Sequence, residues 1–422
     1  MRAGRWRSSF SLGAGGPQVV ASRPDSGYAW WRVAVSLALS TIGGIGLWSA
    51  IVSLPAIEAE FGIGRGEASL PYTATMMGFA AGGVLMGRLA DRFGIMLPVI
   101  LGALMLGAGY LAAASATSLW QFILAQALLV GMLGSSATFG PLVADVSLWF
   151  VRRRGIAIAI VASGNYLAGT IWPPILQSAI EVVGWRYAHM GIGAVCVATM
   201  LPLALTLRRR APIDDGGVPL SARDIAGTLR MSPAALQVLL VVAGLACCIA
   251  MSMPQVHIVA YCGDLGYGVA RGAEMLSLML GLGVVSRLAS GLIADRIGGV
   301  GTLILGSTLQ CLALLFYIPF DGLMSLYVVS ALFGLSQGGI VPSYALIVRD
   351  YFPAREAGAR VSLVLTATIV GMAVGGWMSG AIYDLTGSYQ AAFLNGIAWN
   401  LLNMSIAFWL LIGRLRPRPA SA

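Results

Sequence analysis

Apolar positions along this chain fall in long, nearly unbroken runs. The runs lie near 32–56, 68–88, 97–115, 119–148, 156–180, 186–207, 237–262, 272–293, 301–319, 323–348, 358–383 and 390–413. Each approaches or exceeds the ~20 residues that carry a helix across a hydrocarbon core. A bilayer offers no partner for open backbone groups, so the runs are expected to cross as helices. The pattern predicts an all-α polytopic membrane protein with twelve transmembrane helices.

The longest polar stretch, residues 208–233, carries Pro, Gly and charges of both signs and divides the runs six and six. The expected division is a cytoplasmic N-terminal tail at 1–31, a six-helix bundle at 32–207, a cytoplasmic linker at 208–236, a second six-helix bundle at 237–413 and a cytoplasmic tail at 414–422. The halves repeat each other. Gly87-Arg-Leu-Ala-Asp-Arg-Phe-Gly94 follows the second run, and Gly291-Leu-Ile-Ala-Asp-Arg-Ile-Gly298 follows the eighth, 204 residues later. Trp149-Phe150 and Tyr351-Phe352 precede the fifth and eleventh runs, 202 residues apart. Two nearly equal offsets argue for two six-helix pseudo-repeats, an architecture shared by many secondary transporters with a midplane site.

Composition agrees with a membrane interior. Of 422 residues, 58% are hydrophobic and 10% are charged, against about 25% charged in a soluble domain. The 55 glycines suit close helix packing in lipid. The net charge of +9 comes with 26 basic residues, all of them arginine. These arginines sit in short loops, which reads as topology rather than as a nucleic-acid patch. The tails and the even-to-odd loops hold 22, the opposite loops hold Arg65, Arg186 and Arg271, and Arg287 lies inside a run. The positive-inside rule then places both termini in the cytoplasm of an inner or plasma membrane. The N-terminal tail has no apolar core of signal-peptide length, so no cleavage is expected. Cys196, Cys247, Cys248, Cys262 and Cys311 lack CxxC spacing and read as small packing residues, with no metal site or cofactor expected.

The GxxxDRxG pattern in both halves resembles the major facilitator superfamily, over residues 28–413. The resemblance implies that Gly87, Asp91, Arg92 and Gly94, with Gly291, Asp295, Arg296 and Gly298, form conformational motifs that latch the halves in the outward-facing state. Ile95-Met96 stands where the family has a basic pair, which implies a weaker latch. Three further motifs resemble the monocarboxylate transporters and their oxalate/formate-exchanging relatives. Asp25-Ser-Gly-Tyr-Ala-Trp30 is similar to DGGWGW before the first span, and Trp149-Phe-Val-Arg-Arg-Arg-Gly-Ile-Ala-Ile-Ala159 is similar to YFxKRRxxAxG at the fifth. Pro254-Gln-Val-His257 through Asp264-Leu-Gly266 resembles the seventh span of bacterial relatives. Interfacial anchoring accounts for Trp30, Trp149 and the arginine run without any substrate.

Arg287 is the sharpest candidate. It lies eight residues before Asp295, hence about 12 Å up the helix from the turn. A mid-span arginine costs ~2.5–3.5 kcal/mol even on the milder insertion scale. Its planar fork suits a carboxylate, and the resemblance implies an arginine at this place in the eighth span. The alternative is a structural ion pair with Asp145, Glu181, Asp264 or Asp384, all near span ends. Relatives coupled to protons carry an aspartate where this chain has Gly283, and a lysine near the place of Trp48. One cation matches one carboxylate, so a monocarboxylate is expected over a dicarboxylate.

His257 is the main titratable group left inside a span, either exchanging a proton or simply hydrogen-bonded between helices. His189 reads as interfacial. Tyr72, Phe139, Asn165, Tyr166, Tyr344 and Trp377 lie at midplane depth, and Tyr72, Asn165 and Tyr344 are favoured as substrate-binding groups alongside Arg287, His257 and Trp48. The expected function is secondary active transport of a small organic anion by alternating access, with H⁺ or a counter-anion as partner. Efflux of an amphipathic compound is the second reading, and a transporter-like membrane sensor the third. No HExxH, GxSxG or paired acids suggest an enzyme.

Overall fold

The computed structural model describes residues 25–150, 152–209, 231–352 and 354–415. The described residues form helices and short connections, with no strand among them. In chain order the helices are α1 Gly27–Gly43, α2 Ile45–Phe61, α3 Arg65–Ala68, α4 Leu70–Phe93, α5 Met96–Ser115, α6 Leu119–Leu124, α7 Gly140–Ser147, α8 Arg154–Ala162, α9 Gly164–Thr206, α10 Pro233–Asp264, α11 Val269–Phe316, α12 Leu323–Gln337, α13 Ile340–Tyr351, α14 Ala354–Thr386 and α15 Tyr389–Leu415. A π-helical stretch, Ala125–Gly134, and a 3₁₀ turn, Ser135–Thr138, join α6 to α7.

Nine helical segments among the described residues are long and apolar enough to cross a membrane. The chain is therefore a multi-pass membrane protein. Two of the nine exceed any single crossing: α11 has 48 residues, about 70 Å if straight, against a core of about 30 Å. It turns at Gly298, and the 43-residue α9 turns at Gly184. The expected second run falls on α4, which is not among the nine. Pro71, Tyr72, Thr73, Thr75 and four glycines dilute its apolar character. The glycines serve packing instead. A Cβ on Gly78 or Gly82 would overlap the backbone carbonyl of Ala127 or Met132 in the π-helical stretch.

The repeated motif has a repeated backbone. Gly94 (φ 85°, ψ 164°) and Gly298 (φ 75°, ψ 171°) share a conformation that side-chain-bearing residues rarely adopt. A Cβ on Gly87 or Gly291 would meet nothing within 4 Å. Asp91, Arg92, Asp295 and Arg296 are exposed, and none of them forms an ion pair among the described residues.

Several helices break at mid-depth. Gly44 interrupts α1 and α2, Ser163 separates α8 from α9, and Gly338-Gly339 separates α12 from α13. One buried core runs across the two parts of the chain, joining Trp48, Ile51, Leu54, Tyr72, Met76 and Tyr166 to residues of α10 to α15. A second core lies within residues 29–207. Most of the expected linker, 210–230, and most of both expected tails lie outside the described residues.

Candidate functional site

The segment from Asp25 to Trp30, at the entry to α1, is locked to the turn before α8 and marks one end of the helices, hereafter the tail face. Asp25 accepts from the backbone N–H groups of Arg152 (3.1 Å) and Arg153 (3.3 Å), and its own N–H donates to the Trp149 carbonyl (3.1 Å). Tyr28 meets Trp149 edge-on at 5.2 Å, and Trp30 meets Phe150 at 5.0 Å. The first two transporter-like motifs thus form one contact surface. Beneath it Arg32, 1% exposed, donates to both Asp145 oxygens (2.6 and 2.9 Å) and lies 4.6 Å from the Trp149 ring.

The opposite face is closed by Arg65. Its Nε donates to Glu58 (2.7 Å), and its Nη1 donates to Asp264 (2.7 Å) and the Tyr389 hydroxyl (2.9 Å). Asp384 accepts from the backbone N–H groups of Arg65 (2.8 Å) and Gly66 (2.7 Å). Burial lowers the basicity of this guanidinium, but Asp264, Tyr389 and Glu58 together raise it further, so its charge is permanent. These bonds tie α2 and α3 to α10, α14 and α15. Farther in, Thr73 donates to the Ala373 carbonyl at 2.9 Å, and Ser277 donates to the Thr170 carbonyl.

Arg287 sits at the break between α8 and α9. Its Nη1 donates to the Ala162 carbonyl (3.0 Å), the last residue of α8, where the helix dipole favours a cation. Its guanidinium carbon lies 4.3 Å from the centroid of the Tyr166 ring. Its Nε is buried and has no hydrogen-bond partner among the described residues. None of the four candidate acids takes it. Asp145 holds Arg32, Asp264 holds Arg65, Asp384 caps α3, and Glu181 accepts from Gln177. The guanidinium therefore keeps its Nε edge, which with Nη2 forms a side-on fork for one carboxylate.

Gly283 explains the pose. A Cβ there would stand 2.8 Å from Tyr166 Cε1 and 2.9 Å from Cδ1. The missing side chain lets the phenol lie against α11 one turn before Arg287. Trp48, 4% exposed, donates its Nε1 to the Asn165 carbonyl at 3.1 Å, beside Tyr166. The Asn165 Oδ1 has no hydrogen-bond partner among the described residues.

The other sequence-selected residues lie elsewhere. His257 is fully buried toward the Arg65 network, with its ring nitrogens on the Tyr389 hydroxyl (3.1 Å) and the Gly376 carbonyl (2.8 Å). Tyr72 packs near Gly376 with its hydroxyl unpartnered. Tyr344 donates to Asn403 (2.7 Å), inside the packing of α13 against α15. His189 is fully buried against Ser53 at 3.1 Å rather than interfacial. The structure joins Arg287, Trp48, Asn165 and Tyr166, and sets His257, Tyr72 and Tyr344 apart. Gln255 and Gln337, hydrogen-bonded to each other at mid-depth, were not singled out from sequence. Two amides inside apolar runs were the available signal. No group of three or more metal-ligating side chains occurs among the described residues.

The family model for the Major Facilitator Superfamily matches residues 36–328 and 302–422. The chain belongs to the major facilitator superfamily. Transport, not catalysis, is the activity of this facilitator. Monocarboxylate transporter 13 of Bos taurus is 27% identical over 409 residues, covering 92% of this chain and 91% of that protein. The MFS-type transporter opdF of Penicillium oxalicum is 25% identical, covering 95% and 96%. The facilitator is thus monocarboxylate-transporter-like. Among solved structures, a POT family transporter in complex with 5-aminolevulinic acid matches with a TM-score of 0.71 at 12% identity, covering 94% of this chain and 99% of that one. A bacterial homologue of the human lysosomal transporter Spinster matches with a TM-score of 0.66 at 15% identity, covering 94% and 100%.

Proposed function

We propose that this facilitator carries a small monocarboxylate across an inner or plasma membrane by alternating access, coupled to H⁺ or to a counter-anion. The reading takes twelve spans in two six-helix halves, 32–207 and 237–413, with both termini cytoplasmic. Nine apolar segments, α4, and the turns at Gly184 and Gly298 are compatible with that count. The tail face then faces the cytoplasm.

The observation that carries the proposal is the unpartnered Nε of Arg287, on a guanidinium with no acid partner among the described residues. Arg287 is half-buried with its Nε hydrogen enclosed and unpaired, and an unpaired guanidinium donor inside a span is costly unless a ligand completes it. Arg287 takes the carboxylate side-on, Tyr166 fixes the plane of the guanidinium, and Trp48 and Asn165 complete the wall. Inward movement of one negative charge opposes a negative-inside potential by ~2.3 kcal/mol per 100 mV. A co-transported proton or an exchanged anion removes that opposition.

The test is uptake into proteoliposomes with lactate, pyruvate, formate and other short carboxylates. Arg287→Lys keeps the charge but loses the fork. Uptake is expected to fall at least about a hundredfold, the equivalent of about 2.7 kcal/mol, with membrane insertion unchanged. Wild-type-like uptake by that variant would remove Arg287 from the site.

A further inference from the structure

His257 and Arg65 share the Tyr389 hydroxyl. A carbonyl only accepts, so the contact to Gly376 requires the His257 Nε2 to carry hydrogen. In neutral imidazole the Nδ1 is then bare and accepts from the Tyr389 hydroxyl. The same hydroxyl oxygen accepts from Arg65 Nη1 at 2.9 Å. The chain therefore runs in one direction: Arg65 N–H to Tyr389 O–H to His257 Nδ1, with His257 Nε2–H ending on α14. It links α3, α15, α10 and α14 at the closed face. Every donor and acceptor in it is satisfied only when the imidazole is neutral.

We infer that His257 is a proton-operated latch on the face opposite the tails, whose protonation opens that face. An Nδ1–H on imidazolium turns a second donor toward the Tyr389 oxygen and leaves the tyrosine hydrogen without its acceptor. Two cations, His257 and Arg65, then share one phenol. The groups around this pair are Asp264 and Tyr261 on α10, Asp384 and Tyr383 on α14, Tyr389 on α15, Glu58 on α2, Tyr72 on α4 and Arg65 itself on α3. Both aspartates are already committed to Arg65 or to the α3 backbone, so a new charge on His257 competes for the carboxylates that hold the face shut. His257 is fully buried when the face is closed. The proton enters when the face opens and, by binding the open form better, raises its population. This uses only the alternating-access part of the proposed function, and a failure to carry carboxylates would leave it intact.

Thr73→Cys supplies the reporter, because Thr73 bridges the two halves just inside the closed face. A membrane-impermeant maleimide is applied from that face at about pH 7.5 and about pH 5.5, bracketing the ordinary imidazole range, and labelling at position 73 is read by mass spectrometry. Labelling is expected to rise about tenfold at the lower pH, the response to a comparable shift in the open population. With His257→Asn added, whose amide oxygen can replace Nδ1 as acceptor but cannot become a cation, the rate should be low and equal at both pH values. Tyr389→Phe, which removes the shared hydroxyl, should give fast labelling at both. A pH response that survives His257→Asn, or its absence from the reporter protein with His257 intact, overturns the latch. If His257→Asn fails to insert, the Tyr389→Phe result decides alone, and a retained tenfold response there overturns it.

Discussion

At the scale of single residues, the proposed carboxylate-binding cation is posed by an absence. Gly283 gives Tyr166 room to lie against α11, and the ring then faces the Arg287 guanidinium at 4.3 Å. Gly283→Ala would bring a methyl group within 2.8 Å of that ring. Overpacking of this kind costs about 1–3 kcal/mol. The expected result is a several-fold rise in the carboxylate KM with a modest loss of thermal stability. An unchanged KM would show that Tyr166 does not set the arginine's geometry. The sequence offered Gly283 only as a departure from a family position. Nothing in a one-dimensional pattern reveals that a tyrosine 117 residues earlier fills the space.

At the scale of elements, the sequence motifs before α1 and before α8 read as separate signatures. Folding makes them one joint, with Asp25 capping the turn and the aromatic pairs interleaved. The joint rests on the Arg32–Asp145 pair. Removal of one partner of a buried pair strands the other charge and costs about 3–5 kcal/mol. Asp145→Asn is therefore expected to lower the melting temperature in detergent markedly while leaving the carboxylate KM unaltered in whatever protein inserts. A wild-type melting curve would refute the assignment of Arg32–Asp145 as the support of the tail face. Arg32 was legible only as one more positive-inside arginine, because topology rules count charges without knowing which are buried.

At the scale of the whole molecule, the contacts are asymmetric. At one face Arg65 ties α2 and α3 to α10, α14 and α15, while Asp91, Arg92, Asp295 and Arg296 of the repeated motif are exposed and free of ion pairs among the described residues. On the proposed alternating-access reading, the Arg65 contacts release in every cycle. Gly66 and Ala381 approach there: a Cβ on Gly66 would lie 3.1 Å from the Ala381 nitrogen. Paired Gly66→Cys and Ala381→Cys substitutions are expected to form a disulfide on mild oxidation, arresting transport, with recovery on reduction. Full transport by the cross-linked protein would contradict opening at this face.

The sequence by itself determined the solvent of this protein, its helical character, its family motifs and the isolation of Arg287. Those properties depend on local composition and on chemistry that repeats at fixed intervals. The paired φ values at Gly94 and Gly298 show how far such a signal reaches, since one short motif dictates one turn twice. Only the tertiary structure decided which acids are occupied, that Tyr166 lies under Arg287, and that His257 belongs to the closed face rather than to the arginine site. Each of those facts is a competition among groups far apart in the chain. A carboxylate claimed by Arg65 or Arg32 is lost to Arg287, and no spacing along a sequence records which cation wins.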